Sequence, residues 1–194
     1  QALNSLRVEN GGTLLVDNGV LLTINGTLYD NNGTITLSGT GAITFGASAT
    51  LNYSGTASQT IGAEFTNPTN LVINDAAGVT TNGNITIPGT LTLSAGLLNT
   101  GSNIVTVSST LTSSVTGYSS TSYVNGFLKR GVAASGTYDF PVGTSSNYEL
   151  ASLTLNSQTG MNTITASFSP SITGTQPDGN TCLINGTGIY NMLN

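Results

Sequence analysis

Carboxylates are the residues of this 194-residue chain that could perform acid–base chemistry or hold a metal ion, because it contains no His and a single Cys. Glycoside hydrolysis needs two carboxyl groups about 5–10 Å apart. Asp17 and Asp30 each precede an Asn, which is typical of turn side chains that bond their own backbone. We therefore expect turn or surface positions, and no catalytic role, for all eight acids: Glu9, Asp17, Asp30, Glu64, Asp75, Asp139, Glu149 and Asp178.

The remaining reactive side chains are too few for several classes of function. The three cations are Arg7, Lys129 and Arg130, and the formal net charge is −5, whereas nucleic-acid binding needs many basic side chains to displace counterions from phosphates. Without His, the commonest general base and a frequent zinc ligand are missing. The lone Cys182 cannot form an internal disulfide or a thiolate zinc cluster, so we expect a buried small side chain or a free thiol there.

Two short segments could donate several oxygen atoms to Ca²⁺. They are Asp30-Asn31-Asn32-Gly33 and Asp178-Gly179-Asn180. Neither has the ligand spacing of an EF-hand loop, and the Gly-rich nonapeptide repeat of calcium-binding β-helices is absent. Ordinary Asn/Gly turns are the better interpretation, so the sequence predicts neither a metal ion nor a cofactor.

Lys129 and Arg130 form the one cationic pair of the chain. We expect this pair at a strand end or edge, where charge discourages edge-to-edge pairing. Contact with an anionic glycan is the alternative interpretation.

The composition favours strands and turns over helices. Thr (33), Gly (25), Asn (22) and Ser (22) supply more than half of the chain, and Glu, Lys and Arg are scarce. Asn and Gly both tolerate positive φ, so Asn-Gly pairs predict tight turns between short strands. The chain is therefore expected to be all-β, with seven such pairs, which begin at Asn10, Asn18, Asn25, Asn32, Asn82, Asn125 and Asn185.

Short aliphatic–polar–aliphatic segments recur at a constant spacing. Period-2 alternation places the two aliphatic residues on one face of a strand and the polar residue on the other. Equivalent positions lie 21 residues apart in the first coils and 20 residues apart later; the pairs are Leu14 with Ile35, Val16 with Leu37, Leu22 with Ile43, Ile24 with Phe45, Ile73 with Leu93, Ile85 with Val105, Ile87 with Val107 and Leu91 with Leu111.

This spacing predicts a parallel β-solenoid over residues 1–115, with about three strands per coil of about 20–21 residues and with equivalent strands stacked about 4.8 Å apart. A β-sandwich has no reason to repeat its inward positions at a constant interval. Strict hexapeptides of a left-handed solenoid would give shorter coils, so we expect a right-handed parallel β-solenoid.

Threonine ranks on such a solenoid raise ice binding as an alternative function. A 20-residue coil would stack Thr90 and Thr92 on Thr110 and Thr112. One coil earlier the same positions hold an Asn and a Val, so the rank is two coils deep. Thr also suits exposed strand positions in general, which is the simpler interpretation.

The pattern changes along the chain. We expect a longer loop at 55–68, inserted between coils, and a Ser/Thr/Gly-rich connector at 108–122. Eight of the twelve aromatic residues lie after residue 116, and the segments 150–155 and 163–168 alternate over longer runs. We therefore predict a second unit over 116–194, a small β-sandwich-like unit that is incomplete at its C-terminal end.

Several phrases of the sequence resemble repetitive cell-surface proteins of Bacteroidetes, the adhesin-like cargo of the type IX secretion route. The phrases are LNYSGTASQTIG at 51–62, NLVIN at 70–74, GTLTL at 89–93, YVNGFLKR at 123–130 and FPVG at 140–143, followed by Tyr148. The resemblance implies a module of a longer chain, at the outer cell surface or released, and it carries no catalytic residues. In that family further strands follow FPVG, so we expect a fragment or a unit completed by a neighbour.

The main functional hypothesis is a non-enzymatic extracellular module with a structural or adhesive role in a larger surface protein or filament. Its expected partners are neighbouring modules of the same chain or like subunits, with surface glycans as a further partner; neither nucleic acid nor a membrane span is expected. The alternatives are a fragment of a β-helix carbohydrate-active enzyme and an ice-binding solenoid.

Overall fold

The computed structural model describes residues 1–65 and 67–169, and the backbone of Ile189–Leu193. Strands hold 58% of the described residues and helical turns only 4%, which confirms the all-β prediction. In the described part of the chain, no helix is long and apolar enough to cross a membrane.

Alternating aliphatic and polar residues form short strands, and Gly, Asn and Ser separate them. The two helical segments are single 3-10 turns, Ala63–Phe65 and Thr112–Ser114. The strands are β1 (Ala2–Val8), β2 (Thr13–Val16), β3 (Leu21–Asp30), β4 (Thr34–Leu37), β5 (Ala42–Phe45), β6 (Thr50–Tyr53), β7 (Gln59–Ile61), β8 (Asn70–Asn74), β9 (Val79–Thr81), β10 (Ile85–Ile87), β11 (Leu91–Ala95), β12 (Leu98–Val107), β13 (Val115–Thr116), β14 (Val124–Gly131), β15 (Gly136–Gly143), β16 (Tyr148–Leu155), β17 (Thr163–Ser169) and β18 (Ile189–Leu193).

The strands stack into a parallel β-solenoid of about 7 turns, as the sequence predicts. Sheet A has the order β1-β3-β6-β8-β11-β13, with β5 beside β3. Sheet B contains β2 and β4. Sheet C has the order β7-β9-β12-β14-β15-β16, with β10 beside β12, and with β17 between β14 and β18.

The predicted spacing is confirmed by the register of the parallel strands. Leu14 lies opposite Ile35, and Leu22 lies opposite Ile43. The 20-residue spacing of the later coils is confirmed by the neighbours Ile73 with Leu93, Ile85 with Val105 and Ile87 with Val107.

One predicted pair is wrong, because the sixth coil, which ends at β13, the sixth strand in the order of sheet A, is longer than its predecessors. Leu91 lies opposite Val115 and not opposite Leu111, which is 67% exposed. The 3-10 turn Thr112–Ser114 lengthens the path before the chain returns to sheet A, and Ser114 N donates to Leu111 O at 3.1 Å. The predicted connector at 108–122 therefore contains a strand of the solenoid, β13.

The predicted loop at 55–68 is also more regular than expected. It contains β7, which pairs in parallel with β9, and it places the side chains of Ile61 and Phe65 in the core. These two inward residues are separated by the start of the 3-10 turn, so their spacing does not follow the period of a strand.

The Asn-Gly pairs do not all form turns between strands. Gly11 and Gly19 occupy turns with φ of 77° and 78°. The pairs that begin at Asn25 and Asn125, however, lie inside β3 and β14, where the register to the neighbouring strand shifts. A Cβ atom on Gly26 would lie 1.7 Å from Asn4 O, so only Gly allows this close approach.

Parallel pairing continues beyond residue 115. β14 lies parallel to β12 on one side and antiparallel to β17 on the other, and β15 joins β14 in parallel and β16 in antiparallel orientation. β16 and β17 contain the predicted alternating segments 150–155 and 163–168. The division into units at 115/116 stays a prediction; the hydrogen bonding of sheet C is continuous across it.

A column of aliphatic residues runs through the interior of the solenoid. Its members are 0% exposed and lie in register on successive coils of sheet A. Burial of a Leu side chain contributes about 1.5–3 kcal/mol to stability. Because the residues that bury it belong to adjacent coils, each coil is stabilised mainly by its neighbours in the stack. The column consists of Leu28, Leu51, Leu71 and Leu91.

Substitutions at Gly96 and Gly101 can test how closely the backbones of successive coils approach each other. Gly96 has φ of 74°, and a Cβ atom added to it would lie 1.9 Å from Asp75 O, whereas Gly101 has φ of 57° with nothing within 4 Å. Both Gly→Ala variants place a side chain in the left-handed region, at a cost of about 1–2 kcal/mol. We expect Gly96→Ala to lose clearly more unfolding free energy than Gly101→Ala in urea denaturation. Equal losses would contradict the close approach.

Candidate functional site

The outward residues of sheet A form a polar face that crosses six coils. Alternation turns these side chains away from the core, and the parallel register places them about 4.8 Å apart from coil to coil. We call this surface the polar face. Its members are Arg7, Thr27, Tyr29, Thr50, Asn52, Asn70, Val72, Thr92 and Thr116.

The 20-residue spacing predicts that Thr92 stacks on Thr112, and this pairing is wrong. Thr92 lies opposite Thr116, since the longer sixth coil moves Thr112 into a 3-10 turn. Val72 precedes Thr92 in the column, as expected, so this rank is two coils deep. A second two-coil rank consists of Thr23 and Thr44, whose hydroxyl oxygens are 3.2 Å apart.

The N-terminal end of the polar face carries opposite charges that neutralise each other. The Arg7 guanidinium lies 4.2 Å from the centre of the Tyr29 ring, and its Nε is 3.5 Å from Glu9 Oε1. Asn31 Nδ2 donates to Glu9 Oε2 at 2.5 Å. Glu9 is therefore a surface residue, as predicted, and an exposed ion pair of this kind contributes at most about 1 kcal/mol.

Asparagine side chains connect successive coils at the corners of the solenoid. Each amide oxygen accepts a hydrogen bond from a backbone N–H of the next coil, which satisfies donors that no strand partner reaches. The bonds run to Asn18 from Thr40 at 2.9 Å, to Asn32 from Thr56 at 2.7 Å, to Asn70 from Thr90 at 2.9 Å and to Asn84 from Ile104 at 2.8 Å.

The side chains of the first calcium candidate, residues 30–33, already take part in hydrogen bonds within the protein. Asp30 Oδ1 accepts from Gly33 N at 3.1 Å, Asn32 binds the next coil, and Asn31 binds Glu9. This supports the interpretation of 30–33 as a turn. Within the described residues, no three His, Cys, Asp or Glu side chains are grouped so that they could hold a metal ion. Asp178, Cys182 and Asn185 lie outside the described residues.

Asp30 and Asp75 make the expected turn bonds, but they lie in the interior and not on the surface. Asp30 is 7% exposed, lies opposite Tyr53 and accepts from Gln59 Nε2 at 3.0 Å. Asp75 is 0% exposed and accepts from Ala77 N at 2.9 Å. Burial raises the pKa of the Asp30 carboxyl above its usual value, and the charges of Glu64 and Asp75 raise it further.

Several buried polar atoms near the Asp30 carboxylate have no hydrogen-bond partner among the described residues. They are Tyr53 Oη, Gln59 Oε1 and Asp75 Oδ2. Burial, followed by the charges of Asp30 and Glu64, raises the pKa of Tyr53 well above its usual value. Polar groups on and after β3, β6, β7 and β8 therefore lie in the interior, where the alternating pattern predicts apolar side chains.

Lys129 and Arg130 lie at the C-terminal end of β14, as expected, but β14 is not an edge strand, so the predicted role of Arg130 as an edge charge is wrong. β14 is paired on both sides, and the Arg130 side chain is 0% exposed. Its guanidinium donates to Asp139 O at 2.7 Å, to Leu111 O at 3.1 Å and to Thr112 O at 3.0 Å. The side chain lies 5.3 Å from the centre of the Tyr138 ring. Contact between Arg130 and an external glycan is excluded by this burial, whereas Lys129 remains half-buried.

A second polar cluster, which the sequence does not reveal, lies on β15 and β16. Asp139 accepts from Tyr118 Oη at 2.5 Å and from Ser152 Oγ at 2.6 Å. Burial and the bond to Asp139 raise the pKa of Tyr118 to about 12. Both oxygens of Asp139 are thus occupied, which fits a structural carboxylate better than a catalytic one.

The segment 55–68 borders a shallow cleft of about 270 Å³. Among the described residues of its lining, Glu64 is the one titratable side chain, and the others are Ile43, Thr44, Phe45 and Asn67. A single carboxylate does not supply the acid and base pair that glycoside hydrolysis needs.

Comparison with known proteins yields no relative: the chain matches no protein-family model, no curated protein and no solved structure.

Removal of the buried guanidinium tests its structural role. Arg130→Met removes the guanidinium donors to the carbonyl oxygens of Asp139, Leu111 and Thr112, while Leu111 O keeps its bonds from Ser114. We expect a loss of about 3 kcal/mol or more in unfolding free energy, measured by urea denaturation. Lys129→Met is the matched control and should change stability by less than about 0.5 kcal/mol. Similar small effects of both variants would contradict the assignment.

The buried carboxylate predicts a specific dependence on pH. Because the folded-state pKa of Asp30 is raised above 3.8, the folded state binds this proton more tightly, and the Asp30 contribution to stability falls as pH rises through that pKa. Asp30→Asn keeps the Oδ1 acceptor, so we expect it to be more stable than wild type at neutral pH, with a difference that shrinks towards pH 3.8.

Urea denaturation of both proteins across this pH range measures the difference. Asp17→Asn, in an exposed turn, is the control for the loss of one surface charge. An Asp30→Asn variant that is less stable than wild type at neutral pH would show that the hydrogen bonds of the carboxylate outweigh its desolvation.

Proposed function

We propose that this protein is a non-enzymatic extracellular module with a structural and adhesive role in a larger surface protein or filament. The observation that carries the proposal is the polar face. It presents Tyr, Asn and Thr side chains in register across successive coils, at the repeat distance of the strands. Such a surface matches an extended ligand with repeated hydroxyl groups, such as a polysaccharide chain.

The distribution of the carboxylates supports a non-enzymatic role. Glu9 is paired with Arg7, Asp30 and Asp75 are buried in the core, and Asp139 binds Tyr118 and Ser152. Asp30 and Asp75 lie near enough for their charges to interact, but both are buried and neither faces an open site. A glycosidase instead directs two carboxyl groups at one open substrate site.

The coil stack supports the structural part of the proposal. About 7 coils at about 4.8 Å each give a stack about 30 Å long. Successive coils are joined by strand hydrogen bonds, by the aliphatic column and by corner amides such as Asn70. A stack of this kind spaces the surfaces at its two ends at a defined distance.

The extracellular location and the type IX route belong to this proposal. They rest on the resemblance of the segments at 51–62 and 123–143 to adhesin-like proteins of Bacteroidetes. Low charge and the abundance of Thr, Asn and Gly agree with such surface proteins, since these residues build the exposed strands and turns.

Two pairs of stacked threonines provide a matched test of adhesion. Thr92→Lys with Thr116→Lys places charges on the polar face, whereas Thr86→Lys with Thr106→Lys places them on the outward side of sheet C, also in register. We expect wild type and the sheet C variant to bind to at least one insoluble polysaccharide in a panel, and the polar-face variant to bind at least tenfold more weakly. Binding is measured by depletion of protein from solution.

Two outcomes of this test would contradict the proposal. Equal binding by both variants would remove the polar face as the adhesive surface. Release of soluble sugars by the purified protein, abolished by Asp139→Asn, would favour the carbohydrate-active enzyme instead.

A further inference from the structure

Six Asn-Gly pairs lie in the described residues, and this dipeptide can react with itself. The Gly backbone nitrogen attacks the Asn side-chain Cγ, an N–Cγ bond forms, and the Cγ–Nδ2 bond breaks. The attacking nitrogen loses its proton and ammonia leaves, which gives a cyclic succinimide. Water then opens the ring to Asp or to isoaspartate, without any oxidant or reductant. The reaction requires a free Gly N–H, a free amide and a backbone that can rotate.

Two pairs in turns are blocked at both reacting groups. Gly19 N donates to Thr40 Oγ1 at 3.1 Å, while Asn18 Oδ1 accepts from Thr40 N at 2.9 Å and from Thr40 Oγ1 at 3.0 Å. Gly33 N donates to Asp30 Oδ1 at 3.1 Å, and the Asn32 amide is bonded to the coil that follows. In both pairs the nucleophile and the electrophile are held apart by hydrogen bonds.

Two further pairs are blocked by the strands that contain them. Asn25-Gly26 lies within β3, and Asn125-Gly126 lies within β14. Each pair lies at a break in the register, but the segments directly before and after it are paired with strands on both sides. Large backbone rotation at either pair would therefore disturb these flanking paired segments. Asn125 Nδ2 in addition donates to Asn99 Oδ1 at 2.9 Å.

In the described part of the chain, the pairs Asn10-Gly11 and Asn82-Gly83 have free reacting groups and lie outside the strands. Their turns are held by the backbone bonds from Gly12 N to Glu9 O and from Asn82 N to Ile61 O. Both Asn side chains are exposed, and neither amide forms a hydrogen bond with another described residue. Neither Gly N–H is bonded to a described residue. Gly11 and Gly83 have φ of 77° and 153°, and no atom lies within 4 Å of the position that a Cβ would take.

We propose that Asn10 and Asn82 are sites of spontaneous deamidation, and that Asn18, Asn25, Asn32 and Asn125 are protected by the fold. Each conversion adds one negative charge to a chain of formal net charge −5. Isoaspartate also adds a methylene group to the backbone of the turns β1–β2 and β9–β10. The modification therefore changes the charge and shape of two solenoid corners and leaves the aliphatic core unchanged.

Peptide mapping by mass spectrometry tests the proposal directly. The folded protein is incubated in a mildly alkaline buffer, digested with pepsin, and analysed at successive times for Asn, Asp and isoaspartate at all six pairs. We expect Asn10 and Asn82 to convert at least about tenfold faster than the four protected residues, because each protecting hydrogen bond must open before attack. In denaturant the six rates should become similar, since all six pairs have the same dipeptide sequence. Conversion of Asn18 or Asn32 in the folded protein at the rate of Asn10 would overturn the proposal.

Thr40 provides a variant that removes protection at one site. Thr40→Val deletes the hydroxyl that binds both Gly19 N and Asn18 Oδ1, whereas Thr40→Ser keeps it. We expect Asn18 to convert several-fold faster in the Val variant, with the Ser variant and the rate at Asn10 unchanged. A folded Val variant in which Asn18 remains as slow as in wild type would show that the hydrogen bonds do not protect it.

Discussion

The parallel register between successive coils is the constraint on which the rest of this structure depends. In-register stacking at about 4.8 Å lets each strand satisfy its backbone groups through the coils on either side. The same register places Leu51 and Leu71 against each other in the core and Asn52 against Val72 on the polar face. One geometric rule therefore generates both the core and the outer surface.

Corners are where this rule leaves backbone donors without partners, and Asn side chains supply the acceptors. Asn18, Asn32, Asn70 and Asn84 each reach a backbone N–H about one coil further along the chain. This explains how a chain with only eleven charged residues can hold its turns. It also separates the Asn-Gly pairs in turns into protected and reactive ones, because only the amides that connect coils are held.

The longer sixth coil has a consequence for the interior. Its 3-10 turn leaves the carbonyl oxygens of Leu111 and Thr112 without strand partners, and the buried guanidinium of Arg130 donates to both. The same side chain also binds Asp139 O on β15. Arg130 thus joins the end of the regular coils to the strands that follow, at the place where parallel pairing gives way to antiparallel pairing.

The sequence by itself determined the all-β class, the 20–21-residue coil and most inward positions, because alternation and repetition are local properties of the chain. Only the tertiary structure decided the surroundings of the polar side chains. Asp30 depends on Gln59, which lies 29 residues away, and Tyr118 depends on Asp139, which lies 21 residues away. The burial of Arg130 follows from pairing on both sides of β14. Such environments are set by neighbours in space, and no pattern of adjacent residues records them.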